Sequence, residues 1–222
     1  MANGTIAVSQ LEILTQSGTG IITVVPPTTN TNRTLTLPDA TTTVVGTDAT
    51  QTLTNKTLST GLVMGASAIT SGTAVASTSG TSIDFTSIPS WVKQITVMFS
   101  GVSTSGTSNP IIQIGAGSVT TTGYLGAGMI ASGASPAVSN FTTGFGYPAA
   151  AASNIFHGTT VLTLVTGTTW AANGTIARSD GTSLASTAGT SASLSGALDR
   201  VRVTTVNGTD TFDAGSINIL YT

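Results

Sequence analysis

The sequence predicts a mainly β protein, an extended N-terminal region and connector followed by an antiparallel β-sandwich head, and three observations carry that expectation. From Ile83 onward apolar residues alternate in short runs, seven or eight in all, bounded by Gly, Pro and Asn-Gly turn signals. Helix patterning is scarce throughout. Only 6% of residues are charged, against roughly 25% in ordinary globular proteins, while mean hydropathy is +0.34. No apolar run approaches the roughly 18 residues that a membrane-spanning helix needs. Apolar surface on such a chain is expected to be covered by other copies of itself.

Taken in order, residues 1–25 alternate weakly, with Ile6 and Val8 on one face and Ile21, Ile22, Val24 and Val25 in a β-branched run. Residues 9–15 fit a strand and, after the Ser9 cap, a short helix equally well. Pro26-Pro27 ends this part by fixing φ and removing two donors. Residues 33–58 set Leu35, Leu37, Val44, Val45, Leu53 and Leu58 among Thr, Asp and Gly, which allows short extended segments but no core. Turns are expected at Pro38-Asp39 and at residues 46–48, and a short helix capped by Asp48 fits residues 48–56. Residues 59–82 are small and polar, either a flexible linker or a closely packed shaft.

The head sharpens this pattern. Ile83 and Phe85 alternate, Pro89 marks a turn with Trp91 expected in the core beside it, and Ile95, Val97 and Phe99 share one face. Residues 103–110 form a loop before Ile111, Ile112 and Ile114, and five glycines between 115 and 128 fit bends and close packing. Residues 155–166 are apolar on both faces, with Leu162 and Leu164 opposite Val161 and Val165. Asn173-Gly174 predicts a hairpin turn, and residues 179–196 a long loop holding one strand. In the last strands Val201 and Val203 point inward with Arg200 and Arg202 outward, a turn falls at Asn207-Gly208, and Ile217, Ile219 and Tyr221 share a face.

Composition excludes whole classes. With net charge −2 there is no basic surface to release counterions from a polyanion, so nucleic acid is not an expected partner. Cysteine is absent, which removes disulfides and thiolate metal sites. The opening residues have neither a basic nor an apolar signal region, so synthesis and assembly in the cytoplasm are expected. On that ground the six Asn-x-Ser/Thr matches, at Asn3, Asn32, Asn55, Asn140, Asn173 and Asn207, follow from abundant Asn and Thr rather than from glycosylation.

Catalytic chemistry is thinly supplied. The single histidine, His157, has no acid near it in sequence, and no glutamate follows Glu12. Asp210 and Asp213 are the nearest pair of carboxylates; bonding turn amides is their expected role, ahead of holding a cation. No enzymatic activity, cofactor or metal is expected. Arg200 and Arg202, alternate on one strand, fit pairing with Asp199 of a neighbouring copy or contact with an acidic sugar, and interchain pairing is the expectation.

The phrase LTLPDAT followed by VVGTDATQTLTNKTL, within residues 33–58, resembles tail-fibre and other appendage proteins of tailed bacteriophages. Residues 85–115 and 199–221 resemble the opening and closing strands of the C-terminal domain in such fibres. The resemblance implies a homotrimer on the virion exterior, a jelly-roll-like head and host-surface contact. It divides the chain into an attachment segment for other virion proteins at 1–32, a connector or shaft at 33–82 and a head at 83–222. A capsid-bound head fibre or decoration protein would share this architecture, and a polysaccharide-degrading spike would add an acid pair in a groove. A host-surface glycan or protein is the expected partner. Glycan binding needs aromatic faces together with amides and hydroxyls on loops, which makes Tyr124, Tyr147, His157, Trp170 and Asn173 the receptor-binding candidates.

Overall fold

A computed structural model of the chain describes residues 11–14, 21–24, 69–132, 136–148, 151–179, 181 and 183–222. The chain divides into two compact units, Met1–Thr60 and Gly61–Thr222. In the first, β1 (Leu11–Leu14) and β2 (Ile21–Val24) pair antiparallel, Leu11 opposite Val24 and Leu14 opposite Ile21. The choice between helix and strand near residue 11 is therefore settled as strand. A β-branched partner supplies ladder hydrogen bonds, whereas one isolated helical turn bears its full nucleation cost. The strands, turns and 48–56 helix expected in the connector lie outside the described residues.

The second unit is built from antiparallel sheets, with no helix among its described residues. Its strands are β3 (Thr70–Ser71), β4 (Val75–Ala76), β5 (Ser82–Phe85), β6 (Gln94–Thr104), β7 (Pro110–Ala116), β8 (Ser118–Val119) and β9 (Leu125–Ser132). They continue with β10 (Ala137–Phe141), β11 (Phe145–Gly146), β12 (Phe156–Thr166), β13 (Thr169–Arg178), β14 (Ser183–Thr190), β15 (Arg200–Thr205) and β16 (Phe212–Tyr221). A nine-stranded sheet runs β10-β9-β14-β13-β12-β6-β16-β3, with β4 also on β16; a five-stranded sheet runs β11-β7-β15-β5, with β8 on β7. Early strands thus pair with late ones: β3 and β4 with β16, β5 with β15, β6 with β12 and β7 with β11.

Both sheets feed one hydrophobic cluster. Ile95, Val97 and Phe99 of β6, Leu162 of β12 and Ile217 and Ile219 of β16 meet Ile112 and Ile114 of β7 and Val201 and Val203 of β15. These are the period-2 faces legible in the sequence, because alternation places every second side chain on one side of a pleated strand. Outside them the two-sided apolarity of β12 is uneven. Leu162 is fully buried, while Val165 on the opposite face is exposed.

Two local readings are corrected. Trp91 is 53% exposed, its ring 5.9 Å from that of Tyr221, because the turn closed by Val92 N–H to the Pro89 carbonyl (3.1 Å) sends Val92 into the core instead. Asn173 and Gly174 lie in mid-strand on β13, opposite Val161 and Thr160, and the β12–β13 hairpin turns at Gly167, whose φ is +54°. Gly174 serves packing: a Cβ there would stand 2.4 Å from the Tyr147 hydroxyl and 2.7 Å from the Thr159 carbonyl. Residues 70–77, within the stretch that fits either a linker or a packed shaft, pair with the head's large sheet. Ser77 donates from its backbone to the Gly215 carbonyl (2.9 Å) and from its hydroxyl to that of Ala214 (2.8 Å).

Core burial sets the expected cost of truncation. Leu162→Ala should lower unfolding stability by about 2–5 kcal/mol through lost transfer energy and a residual cavity. Val206→Ala, at a half-exposed turn position, should change it by no more than about 0.5 kcal/mol. Urea unfolding at one fixed protein concentration checks both.

Candidate functional site: a polar cleft on the smaller sheet

The structure does not bring the five candidate residues together. Tyr124, Tyr147 and Trp170 are 1%, 1% and 2% exposed, so none of them offers a ring face to a ligand. Tyr124 packs edge-on against Phe145 at 5.0 Å, and its hydroxyl donates to the Thr120 carbonyl (2.9 Å) while accepting the Ile114 amide (2.9 Å). Tyr147 stands edge-on to Phe99, with its hydroxyl bonded to that of Thr160. An amphipathic ring serves a core as well as a ligand site once its polar end finds a partner. Burial pushes the Tyr124 phenol up to about 12, against the smaller opposing effect of the Ile114 hydrogen bond, and pushes Tyr147 up as well.

His157 and Asn173 are exposed, both on the outward face of the large sheet, on β12 and β13. The imidazole Nδ1 accepts the Gly101 amide at 3.2 Å, which places the proton on Nε2, 3.2 Å from the Ser179 hydroxyl. That tautomer donates toward the serine. A general base would need the reverse, an unprotonated Nε2 with an acid behind Nδ1.

A different constellation forms a cleft of about 300 Å³ on the outward side of the five-stranded sheet. Strand register builds it: Gln113 on β7, Arg202 on β15 and Asp84 on β5 are direct cross-strand partners. Alternation turns Arg202 outward because Val201 and Val203 are held in the core. Arg202 grips Asp84 side-on, Nε to Oδ1 at 2.7 Å and Nη2 to Oδ2 at 3.2 Å, which leaves Nη1 outside the pair. Gln113 donates to the Thr143 carbonyl (2.8 Å), fixing the loop that contributes Thr143 to the wall.

The rim is equally fixed. Asn207 Nδ2 donates to Asp210 (2.6 Å), Asp210 accepts the Ser108 amide (2.8 Å), and the Thr209 backbone amide donates to the side-chain Oδ1 of Asn207 (3.0 Å). Asp210 thus bonds loop and turn groups as the sequence suggested. Asp199 is held below the usual carboxylate range first by its hydrogen bond from Arg200 and then by the Gly117 amide. Inside one chain Arg200 pairs with Asp199 and Arg202 with Asp84. Asp84 is the cross-strand partner of Arg202, and Asp199 is the chain neighbour of Arg200. Among the described residues no group of three or more His, Asp or Glu side chains converges as a metal site.

The cleft therefore offers threonine hydroxyls, from Thr121 and Thr143 among others, with one guanidinium edge in a locally neutral surface. Such a lining suits hydrogen bonding to a hydroxyl-rich ligand. Sequence reasoning missed it because Thr is abundant everywhere in this chain; the outward Arg202 between inward valines was the one available signal. A second recess of about 560 Å³ beside Leu125 and Phe141 is walled largely by Gly and Ala, with Asn140 and Thr142 at its edge. Neither a protein-family model, nor a curated protein, nor a solved structure matches the chain.

The buried phenols fix an alkaline limit. In the fold Tyr124 keeps its proton to about 12, while the unfolded chain releases it near 10, so the native state binds more protons in that window. Stability from this group is full below about pH 10 and is lost as pH rises toward 12, by an amount on the order of 3 kcal/mol. Phenolate absorbance should appear together with loss of the β circular-dichroism signal, and Tyr124→Phe should move unfolding to higher pH.

Proposed function

We propose that the chain is a non-enzymatic virion fibre, trimeric, whose C-terminal head contacts the host cell surface. The observation that carries this reading is the order of strand pairing. Counting β3 with β4 as the first strand and β16 as the last, the pairs are first with last, β5 with β15, β6 with β12 and β7 with β11. This pairing order is the one that the two sheets of a jelly-roll sandwich would have, with β9, β10, β13 and β14 extending one of them, and it supports that reading. That architecture fits the head implied by the resemblance of residues 33–58, 85–115 and 199–221 to phage fibre proteins.

The cleft gives the head a contact of suitable chemistry. Hydroxyls and a guanidinium edge, held by backbone bonds on a rigid sheet, favour a surface glycan as the ligand. The protonated Nε2 of His157 facing Ser179 supports binding over hydrolysis. In this reading residues 1–32 join the chain to other virion proteins, and the head projects outward from the particle.

Purified full chain added to host cells before particles that carry it should reduce their adsorption as its concentration rises. Thr121→Trp, at an exposed position of the cleft wall, should fold and fail to compete. Unchanged adsorption with folded unsubstituted chain would overturn the receptor-contact reading; full competition by Thr121→Trp would overturn the assignment of the cleft.

A further inference from the structure

The central outward rows of the nine-stranded sheet carry no Asp, Glu, Lys or Arg; the exposed Asp213 stands beyond them at the bulged end of β16. Val138, Met129, Ser186, Thr175, Thr159 and Met98 stand in one cross-strand row from β10 through β9, β14, β13 and β12 to β6. The flanking rows, from Ala127 through Asn173 to Leu220 and from Ala131 through His157 to Ser100, likewise hold no Asp, Glu, Lys or Arg. Five of the eight large hydrophobics exposed among the described residues lie on this face: Leu125, Met129, Val138, Val165 and Leu184. By contrast, the outward face of the five-stranded sheet carries Asp84, Arg200 and Arg202.

We infer that this uncharged face is the contact between copies of the chain; the inference rests on the oligomeric reading above and adds the surface that mediates it. Area supports the occupant. Seven strands about 4.8 Å apart and about eight residues long at about 3.3 Å each cover on the order of 750 Å² per copy, about the area of one side of a standard interface, which in a trimer is shared between two neighbours. Composition points the same way. Interface centres are depleted of charge, and a surface without charge is compatible with an identical surface, which a face bearing one sign would repel. Ala127, Ala188 and the Thr side chains allow close approach, while Met129 and Leu184 supply apolar area.

Full-length chain is compared with Met129→Lys/Thr159→Lys by light scattering coupled to size-exclusion chromatography, with circular dichroism to verify folding. Both positions are exposed on the isolated chain, so the fold tolerates lysine there, whereas an interface would bury two unpaired charges. The unsubstituted chain should be oligomeric and the variant a folded monomer, its self-association weakened by at least about a hundredfold. Ala188→Glu on the neighbouring row should act the same way and decides the matter if the lysine variant fails to fold. Ser118→Lys/Thr209→Lys, exposed and away from this face, should stay oligomeric. A folded face variant that remains oligomeric overturns the surface while leaving the oligomer intact. A monomeric unsubstituted chain overturns both.

Discussion

The last strand holds the head together. β16 lies between β6 and the short strands β3 and β4, so it joins residues 70–77 to the middle and the end of the chain in one ladder. Its inward residues, Ile217 and Ile219, share the core with Val97 and Phe99 of β6 and, across the cluster, with β7 and β15. Where β16 meets the end of β6 the ladder bulges, and Gly215 makes the passage possible. Its φ is +87°, and a Cβ there would lie 2.3 Å from the Gly101 carbonyl oxygen. In a chain without cysteine, long-range strand pairing and apolar burial carry the stability that crosslinks supply elsewhere.

Much of this was legible wherever alternation was strict. Ile95, Val97 and Phe99, or Val201 and Val203 between two arginines, declare their buried face because a pleated strand turns every second side chain the same way. What alternation does not declare is whether an aromatic ring is core or contact. Tyr124, Tyr147 and Trp170 have the chemistry of a glycan site, and the fold spends them on its interior, while Trp91 goes outward because Val92 takes its place. Asn173-Gly174 shows a second limit. The dipeptide carries a strong local turn preference, yet the glycine is required by the approach of Tyr147 from another strand, information that no local window contains. Residues 70–77 hid for a related reason, since small side chains suit a loose linker and a segment zipped against β16 equally well.

The two outward faces divide the chemistry of the head. One carries strand-paired ions and a hydroxyl-lined cleft; the other is broad, free of charge in its central rows and dotted with exposed Met, Leu and Val. A low overall charge is thus distributed unevenly between the two faces. Both follow from register. Arg202 faces out because Val201 and Val203 face in, and Thr159, Thr175 and Ser186 align because β12, β13 and β14 are paired without a slip at those positions.

Amide hydrogen exchange resolved by residue tests the central claim, that β16 closes the head by pairing with β6 and the early strands. Amides of residues 95–99 and 217–220 should exchange together, among the slowest in the chain, and only through global unfolding. Rapid or separate exchange of residues 217–220 would contradict this account, because it would mean that the rest of the head stands without its last strand.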